Sequence, residues 1–220
     1  MKRILFFSIS FFFICTCLAQ QKDKFRPGQL WKDDKGVHIN AHGGGMLIHK
    51  KTYYWFGEHK VTGEIGNTAQ VGVHCYSSKD LYNWTDKGIA LQVTDNAGSD
   101  IQKGCILERP KVIYNPKTKK FVMWAHVESA DYSKACAGVA VSDSPTGTFT
   151  YVGSFRPNGA MSRDQTVFVD DNGKAYQFYS SENNATLYIS ELTDDYLKPT
   201  GRYTRNFVKQ SREAPAVFTY

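Results

Sequence analysis

The sequence predicts an all-β chain assembled from a repeated four-stranded unit. Three observations lead there. No segment after residue 25 sustains apolar residues at helical spacing. Short runs rich in Tyr, Phe, Val and Trp alternate instead with turn residues throughout. Those runs recur with a period near 50 residues, the length of a β-propeller blade, a unit that cannot bury both of its faces alone.

The chain has 220 residues, 41% of them hydrophobic, 14% aromatic and 22% charged, with only 7 prolines. That is a globular composition of one domain at most, and it excludes disordered, collagen-like and cysteine-scaffold classes. Residues 1–19 stand apart. Lys2 and Arg3 precede the apolar run from Ile4 to Leu18, and Ala19 precedes Gln20; this pattern reads as a secretory signal peptide. The run is short for a membrane-spanning helix, and FFICTCLAQ lacks the small residue expected before a lipidated cysteine. The mature chain is therefore expected to be exported and soluble, with no membrane partner. Residues 20–37 form a lead-in, and residues 38–220 carry the repeats.

With 27 Lys and Arg against 21 Asp and Glu the net charge is +6, falling to +4 once Lys2 and Arg3 leave. The basic residues are scattered, which argues against a nucleic-acid groove. Cys75, Cys105 and Cys136 remain after the leader, an odd number without CxxC spacing. Neither a disulfide framework nor a thiolate metal site is written there; a single bridge stays open.

In order, the expected strands are Gly45 to Ile48, Thr52 to Gly57, Gln70 to Ser77, Arg109 to Tyr114, Phe121 to His126, Ala137 to Ser142, Thr166 to Asp170, Ala175 to Ser180 and Thr186 to Glu191. Turn chemistry joins them at His49-Lys50-Lys51, Asn115-Pro116-Lys117-Thr118 and Asp170-Asp171-Asn172-Gly173. GGGMLIHKKTYYWFGE, ERPKVIYNPKTKKFVMWAH and RDQTVFVDDNGKAYQFYSS each give a polar or glycine start, a short apolar strand, a tight turn and an aromatic strand. A third strand follows each hairpin, and two of these lead into the related phrases YSSKDLYNWTDKG and VSDSPTGTFTYVG. Three units fill residues 38 to about 205, and a fourth begins at REAPAVFTY. Propellers need about four blades or more to close. The expectation is therefore an incomplete propeller, truncated at its C-terminus, with closure by dimerisation as the less favoured alternative.

Glu108, Asp164 and Glu213 fall at matching places in successive units, 56 and then 49 residues apart. A polar residue at the start of a blade's innermost strand sits at the mouth of the central channel, so three carboxylates would converge there. Convergent acids raise the pKa of the most buried one, and glycoside cleavage needs such a proton donor. The competing view takes these carboxylates as solvated loop residues or as structural partners of Arg109, Arg163 and Arg212, each of which adjoins one of them. Repeat-matched placement favours function.

ERPKVIYN, SRDQTVFVDDNGKAYQFYSSE, REAPAVF and YSSKDLYNW resemble the five-bladed propeller hydrolases of glycoside hydrolase family 43, inverting enzymes that act on arabinan, xylan or galactan. INAHGGGMLIHKKTYYWFGE is similar, more narrowly, to the exo-β-1,3-galactanase subgroup. The likeness covers nearly all of residues 30 to 220. It implies Glu213 as general acid and Asp164 as the carboxylate that tunes and orients it. It implies Glu108 and Glu58 as sugar-binding carboxylates and Arg109 as a partner for a hydroxyl. Tyr132 and Asn184 sit where further substrate contacts are expected, and His42 is a candidate pocket residue. The implied partner is a polysaccharide or oligosaccharide; oligomeric state is left open. No cofactor is implied, and a structural calcium in the channel stays open.

One departure stands out: HINAHGGG, residues 38–45, has no carboxylate to serve as the first-blade base. The galactanase-like subgroup shares this absence, with a glutamine of a later blade positioning the water. This chain thus supplies one half of an inverting pair, so a non-catalytic carbohydrate-binding propeller and a family 43 arabinofuranosidase or xylosidase remain alternatives. His38 and His42 lack the Glu of a zinc-protease helix, so no metal is expected. Gly43 to Gly45 is not a phosphate loop, since no Lys-Ser/Thr follows; it fits close approach of the backbone to a sugar or the channel. Tyr53, Tyr54, Trp55, Trp84 and Trp124 read mainly as packing aromatics.

Overall fold

A computed structural model describes residues 22–63 and 66–219; the leader read at residues 1–19 lies outside them. Among the described residues, twelve strands form three four-stranded antiparallel sheets. The first contains β1 (His42–His49), β2 (Thr52–His59), β3 (Gly72–Ser78) and β4 (Thr85–Gln92); the second, β5 (Ile106–Asn115), β6 (Lys120–Glu128), β7 (Cys136–Ser142) and β8 (Thr150–Phe155). The third contains β9 (Gln165–Val169), β10 (Ala175–Ser181), β11 (Thr186–Leu192) and β12 (Pro199–Asn206). Strands pair in sequence order within each sheet, and the first strands, β1, β5 and β9, pack side by side. These are consecutive propeller blades.

Each of the nine strands expected from the sequence is present. The fourth strands β4, β8 and β12 are additional. No residue of β8 is fully buried, and β12 exposes every position but its two ends. An outer strand without an apolar face carries no alternation to read.

The middle sheet explains the continuous apolar run FVMWAHV. Phe121, Met123, Ala125 and Val127 of β6 pack toward the first sheet with Phe56, Val73 and Cys75. Val122 and Trp124 pack the other way, with Val167, Ala175 and Leu192 of the third sheet. Side chains alternate along a strand, and here both faces are covered, so both parities must be apolar. The lead-in is seated by Trp31, which packs on Trp55 and Trp84, while buried Asp33 accepts the Lys35 and Val37 amides. No described helix is long and apolar enough to cross a membrane.

Cys75, Cys105 and Cys136 are all free and buried, so the bridge left open by the sequence does not form. Burial pushes the Cys75 thiol up to about 12 and the Cys105 thiol up to about 11. Such thiols are poor nucleophiles at neutral pH.

Candidate active site

The site is organised by a bulge in β5. Glu108 pairs with His126 and Lys111 with Trp124, so one extra residue sits on the β5 side between those pairs. Arg109 lies in that bulge with φ 52°, a left-handed conformation that costs a non-glycine residue about 1–2 kcal/mol. Its bonds hold it there. The Arg109 amide donates to Glu58 Oε1 at 3.0 Å, its Nε donates to Asp164 Oδ1 at 2.9 Å, and its carbonyl accepts Gln165 Nε2 at 2.8 Å. A residue of the second sheet is thereby tied to both the first and the third.

Glu58 stands opposite His42 across β1 and β2 and is buried. Its second oxygen faces His42 Nδ1 at 3.1 Å and Lys60 Nζ at 2.9 Å, so the buried charge is paired. The glycine run makes this geometry possible. A Cβ on Gly43 would strike Glu58 Oε1, on Gly44 the Phe56 carbonyl, and on Gly45 Lys111 Cδ. The close approach expected of these glycines is thus made to the protein's own site residues. Lys111 Nζ donates to the carbonyls of Gly43 and Gly44 at 3.1 and 3.0 Å.

Burial, helped by the Arg109 charge, lowers the Lys111 pKa to about 8. Unfolded lysine holds its proton to about 10.4, so between these values the unfolded chain binds more protons and stability rises with pH. The difference in unfolding free energy between wild type and Lys111→Met is therefore expected to shift in favour of wild type from pH 8 upward. Chemical denaturation of both proteins across that range checks this; a pH-independent difference would remove the buried-charge account.

Glu108 has its own partners. His126 Nδ1 lies 3.3 Å from Glu108 Oε2, and the Tyr132 hydroxyl donates to Oε1 at 3.4 Å. Tyr132 is held in turn by Asn67 Nδ2 at 2.8 Å and by Arg163 Nη2, which donates to its carbonyl at 3.2 Å. Burial would raise the Glu108 pKa, but His126, Lys60 and Arg109 outweigh it and hold the carboxyl below its ordinary value. This corrects the expectation that convergent acids raise the most buried of them. Cations face this carboxylate, and they decide the sign. The competing view holds in part: Asp164 is paired with Arg109 and Glu213 is an exposed loop residue, while Arg163 reaches Tyr132 and Glu128 rather than Asp164.

Glu213 lies exposed in residues 207–219, which form no strand. Ser180 brings that segment to Asp164: its amide donates to the Asp164 carbonyl at 2.9 Å and its hydroxyl to the Arg212 carbonyl at 3.2 Å. Beside this group, β1, β5, β9 and residues 215–218 enclose an open cleft of about 660 Å³ whose lining includes Gly44, Gly45 and Lys111. Another cavity, of about 450 Å³, lies at the lead-in against Phe25, Trp31 and Tyr82; neither wall includes a carboxylate, and the acidic group stands beside the cleft rather than in its lining.

The sequence profile of Glycosyl hydrolases family 43 matches residues 44–219. The chain belongs to glycosyl hydrolase family 43. No curated protein matches it, but solved structures do. A family 43 β-1,3-galactosidase solved with galactodeoxynojirimycin is 46% identical with TM-score 0.84, over 88% of this chain and 69% of that one. An exo-β-1,3-galactanase from Clostridium thermocellum is 43% identical with TM-score 0.80, over 88% of this chain and 43% of that one. A variant of the exo-β-1,3-galactanase from Phanerochaete chrysosporium, solved with β-1,3-galactotriose, is 43% identical with TM-score 0.74, over 79% of this chain and 40% of that one. The chain spans less than half the length of the last two.

In this family 43 chain, His42, Glu58, Arg109 and Asp164 form one hydrogen-bonded group, with Glu108 and Tyr132 leading out of the same bulge. Asn184 and Glu213 are not hydrogen-bonded to that group among the described residues. Asn184 sits in the β10–β11 turn with φ 67° and a buried Oδ1 that has no partner. The next residue, Ala185, accepts the Ser211 amide at 3.1 Å, so this turn borders the segment that carries Glu213. Sequence reasoning missed His126, Glu128, Lys60, Lys111 and Gln165. Gln165 directly follows Asp164, and His126 ends an aromatic strand opposite Glu108; strand register was the available signal.

Proposed function

We propose that this protein is an exported, exo-acting glycosidase that releases galactose from the non-reducing end of β-1,3-galactan side chains with inversion, and that its sheets are blades of a five-bladed propeller. The observation that carries the reading is the division of Arg109 among three sheets, which gathers Glu58, Asp164 and the Glu108–Tyr132 pair at one mouth. Solved relatives of 43–46% identity described as β-1,3-galactosidase or exo-β-1,3-galactanase support the substrate. The basic-then-apolar leader supports export.

In this reading Glu213 protonates the glycosidic oxygen as the bond breaks, and water attacks the anomeric carbon from the opposite face. Asp164, paired to Arg109, orients the acid and sets its proton affinity. Glu108 and Glu58 accept sugar hydroxyls, Arg109 donates to one, and His42, Tyr132 and Asn184 border the bound sugar. Galactose release from β-1,3-galactan oligosaccharides, followed by NMR at early times, tests this. The protein is assayed as this chain and as the product of its complete reading frame. The α-anomer is expected first. First appearance of the β-anomer would remove inversion, release of arabinose or xylose from their polymers alone would change the specificity, and binding without turnover by both forms would make the protein a carbohydrate-binding propeller.

A further inference from the structure

We propose that His126 and Glu128 form a positioning relay behind Glu108, fixing that carboxylate as the acceptor for a sugar hydroxyl. The proposal rests on the galactanase reading for the identity of the sugar; the relay itself stands on geometry.

His126 lies directly across the β5–β6 pair from Glu108, and Glu128 is two residues further along β6, on the same face. All three side chains are enclosed: His126 is 2% exposed and Glu128 0%, and the Glu108 side chain is 15% exposed. Each imidazole nitrogen lies within ion-pair distance of one carboxylate, Nδ1 at 3.3 Å from Glu108 Oε2 and Nε2 at 3.4 Å from Glu128 Oε2; Nε2 makes a hydrogen bond, whereas the buried Nδ1 is not aligned for one. A neutral ring has one bare lone pair, which would then lie beside a carboxylate in a dry interior. The arrangement favours the imidazolium, whose charge then lies between the two carboxylates.

Glu128 is held independently of the ring. Its Oε1 accepts the Ala135 amide at 2.7 Å and the Ser129 amide at 3.1 Å, so it is a fixed negative anchor. Arg163 Nε stands 4.0 Å from Glu128 Oε2. Around Glu108 the other charged and titratable groups are Arg109, Lys60 and the Tyr132 hydroxyl. Burial works against the imidazolium, yet the two carboxylates outweigh it and raise the His126 pKa above its usual 6.5. Glu108 is left with one oxygen turned to His126, the other beside Tyr132, and an exposed fraction through which a hydroxyl can reach it. As pH rises through the raised His126 value, the ring loses its proton, Glu108 loses its charge partner, and sugar binding should weaken.

The test combines histidine NMR titrations of wild type, Glu128→Gln, Glu108→Gln and His126→Asn with kinetics on β-1,3-galactotriose from about pH 5 to about pH 9. The ring signal absent from His126→Asn is expected to titrate above 6.5 in wild type and to fall in both carboxylate variants. Glu128→Gln is expected to raise KM about tenfold, the scale of one charge-assisted hydrogen bond, with kcat changed less than about threefold. Its alkaline limb in kcat/KM should move to lower pH. Titration of His126 at or below 6.5 in wild type overturns the relay. So does a Glu128→Gln protein that melts earlier but keeps the wild-type KM and pH profile, since that is a structural role only. Should Glu128→Gln not fold, Glu108→Gln supplies the titration. A wild type that neither binds nor cleaves the trisaccharide removes the galactanase reading, and the ring titration then decides the relay alone.

Discussion

Glu213→Gln is expected to lower kcat on β-1,3-galactan oligosaccharides by about 10²–10⁴-fold, the usual contribution of a general acid. Glutamine keeps the shape of the side chain but has no proton to give at neutral pH, so the leaving oxygen would depart as an alkoxide. The loss should depend on the leaving group. An aryl galactoside whose phenolate leaves without protonation should lose far less activity than the natural oligosaccharide, and comparing kcat on the two substrates reads this directly. Because Glu213 is exposed, the substitution should change folding stability by no more than about 0.5 kcal/mol, which keeps the kinetic result free of unfolding. Equal losses on both substrates, or none, would remove Glu213 from the role of acid.

Trp124→Ala is expected to destabilise the protein by about 3–5 kcal/mol. Trp124 is fully buried, packs edge-on against Phe155 with ring centroids 5.8 Å apart, and lies in the cluster shared by the second and third sheets. Its Nε1 donates to the Tyr196 carbonyl at 2.9 Å. Alanine therefore opens a cavity between two sheets and leaves a buried carbonyl unpaired, two costs that add. Urea unfolding should show a lower midpoint at unchanged slope. Trp124→Phe, which keeps most of the ring and loses the hydrogen bond, should fall between; an alanine variant within about 1 kcal/mol of wild type would mean the two sheets are not coupled through this residue.

The repeat was legible because strand parity and turn chemistry are local. TYYWFGE, KVIYN and AYQFYSS declare a pleated, buried strand without knowledge of their neighbours. The outer strands were illegible for the opposite reason, as PTGRYTRN buries no face and so carries no pattern. At the site, Glu58, Glu108, Arg109 and Asp164 could be named because they sit in long motifs, whereas Tyr132 lies in a loop outside them. What the sequence could not convey was who faces whom. Lys60 and Lys111 become site residues only when β2 and β5 are laid beside the glycine run, and the depressed Glu108 pKa follows from cations that three different strands or loops deliver. The left-handed backbone of Arg109 had no residue signature either, since arginine is not a residue that seeks positive φ.

That same arginine limits how this architecture can change over evolutionary time. A blade repeats as a folding module, and modules of this kind can in principle be duplicated, exchanged or deleted one at a time. The amide, guanidinium and carbonyl of Arg109 are instead shared out among the first and third sheets. Swapping any one of the three blades for a foreign copy would preserve the packing pattern and still break a bond at the bulge. The bulge is thus held by three neighbouring blades together, so its geometry belongs to the block and not to any single repeat.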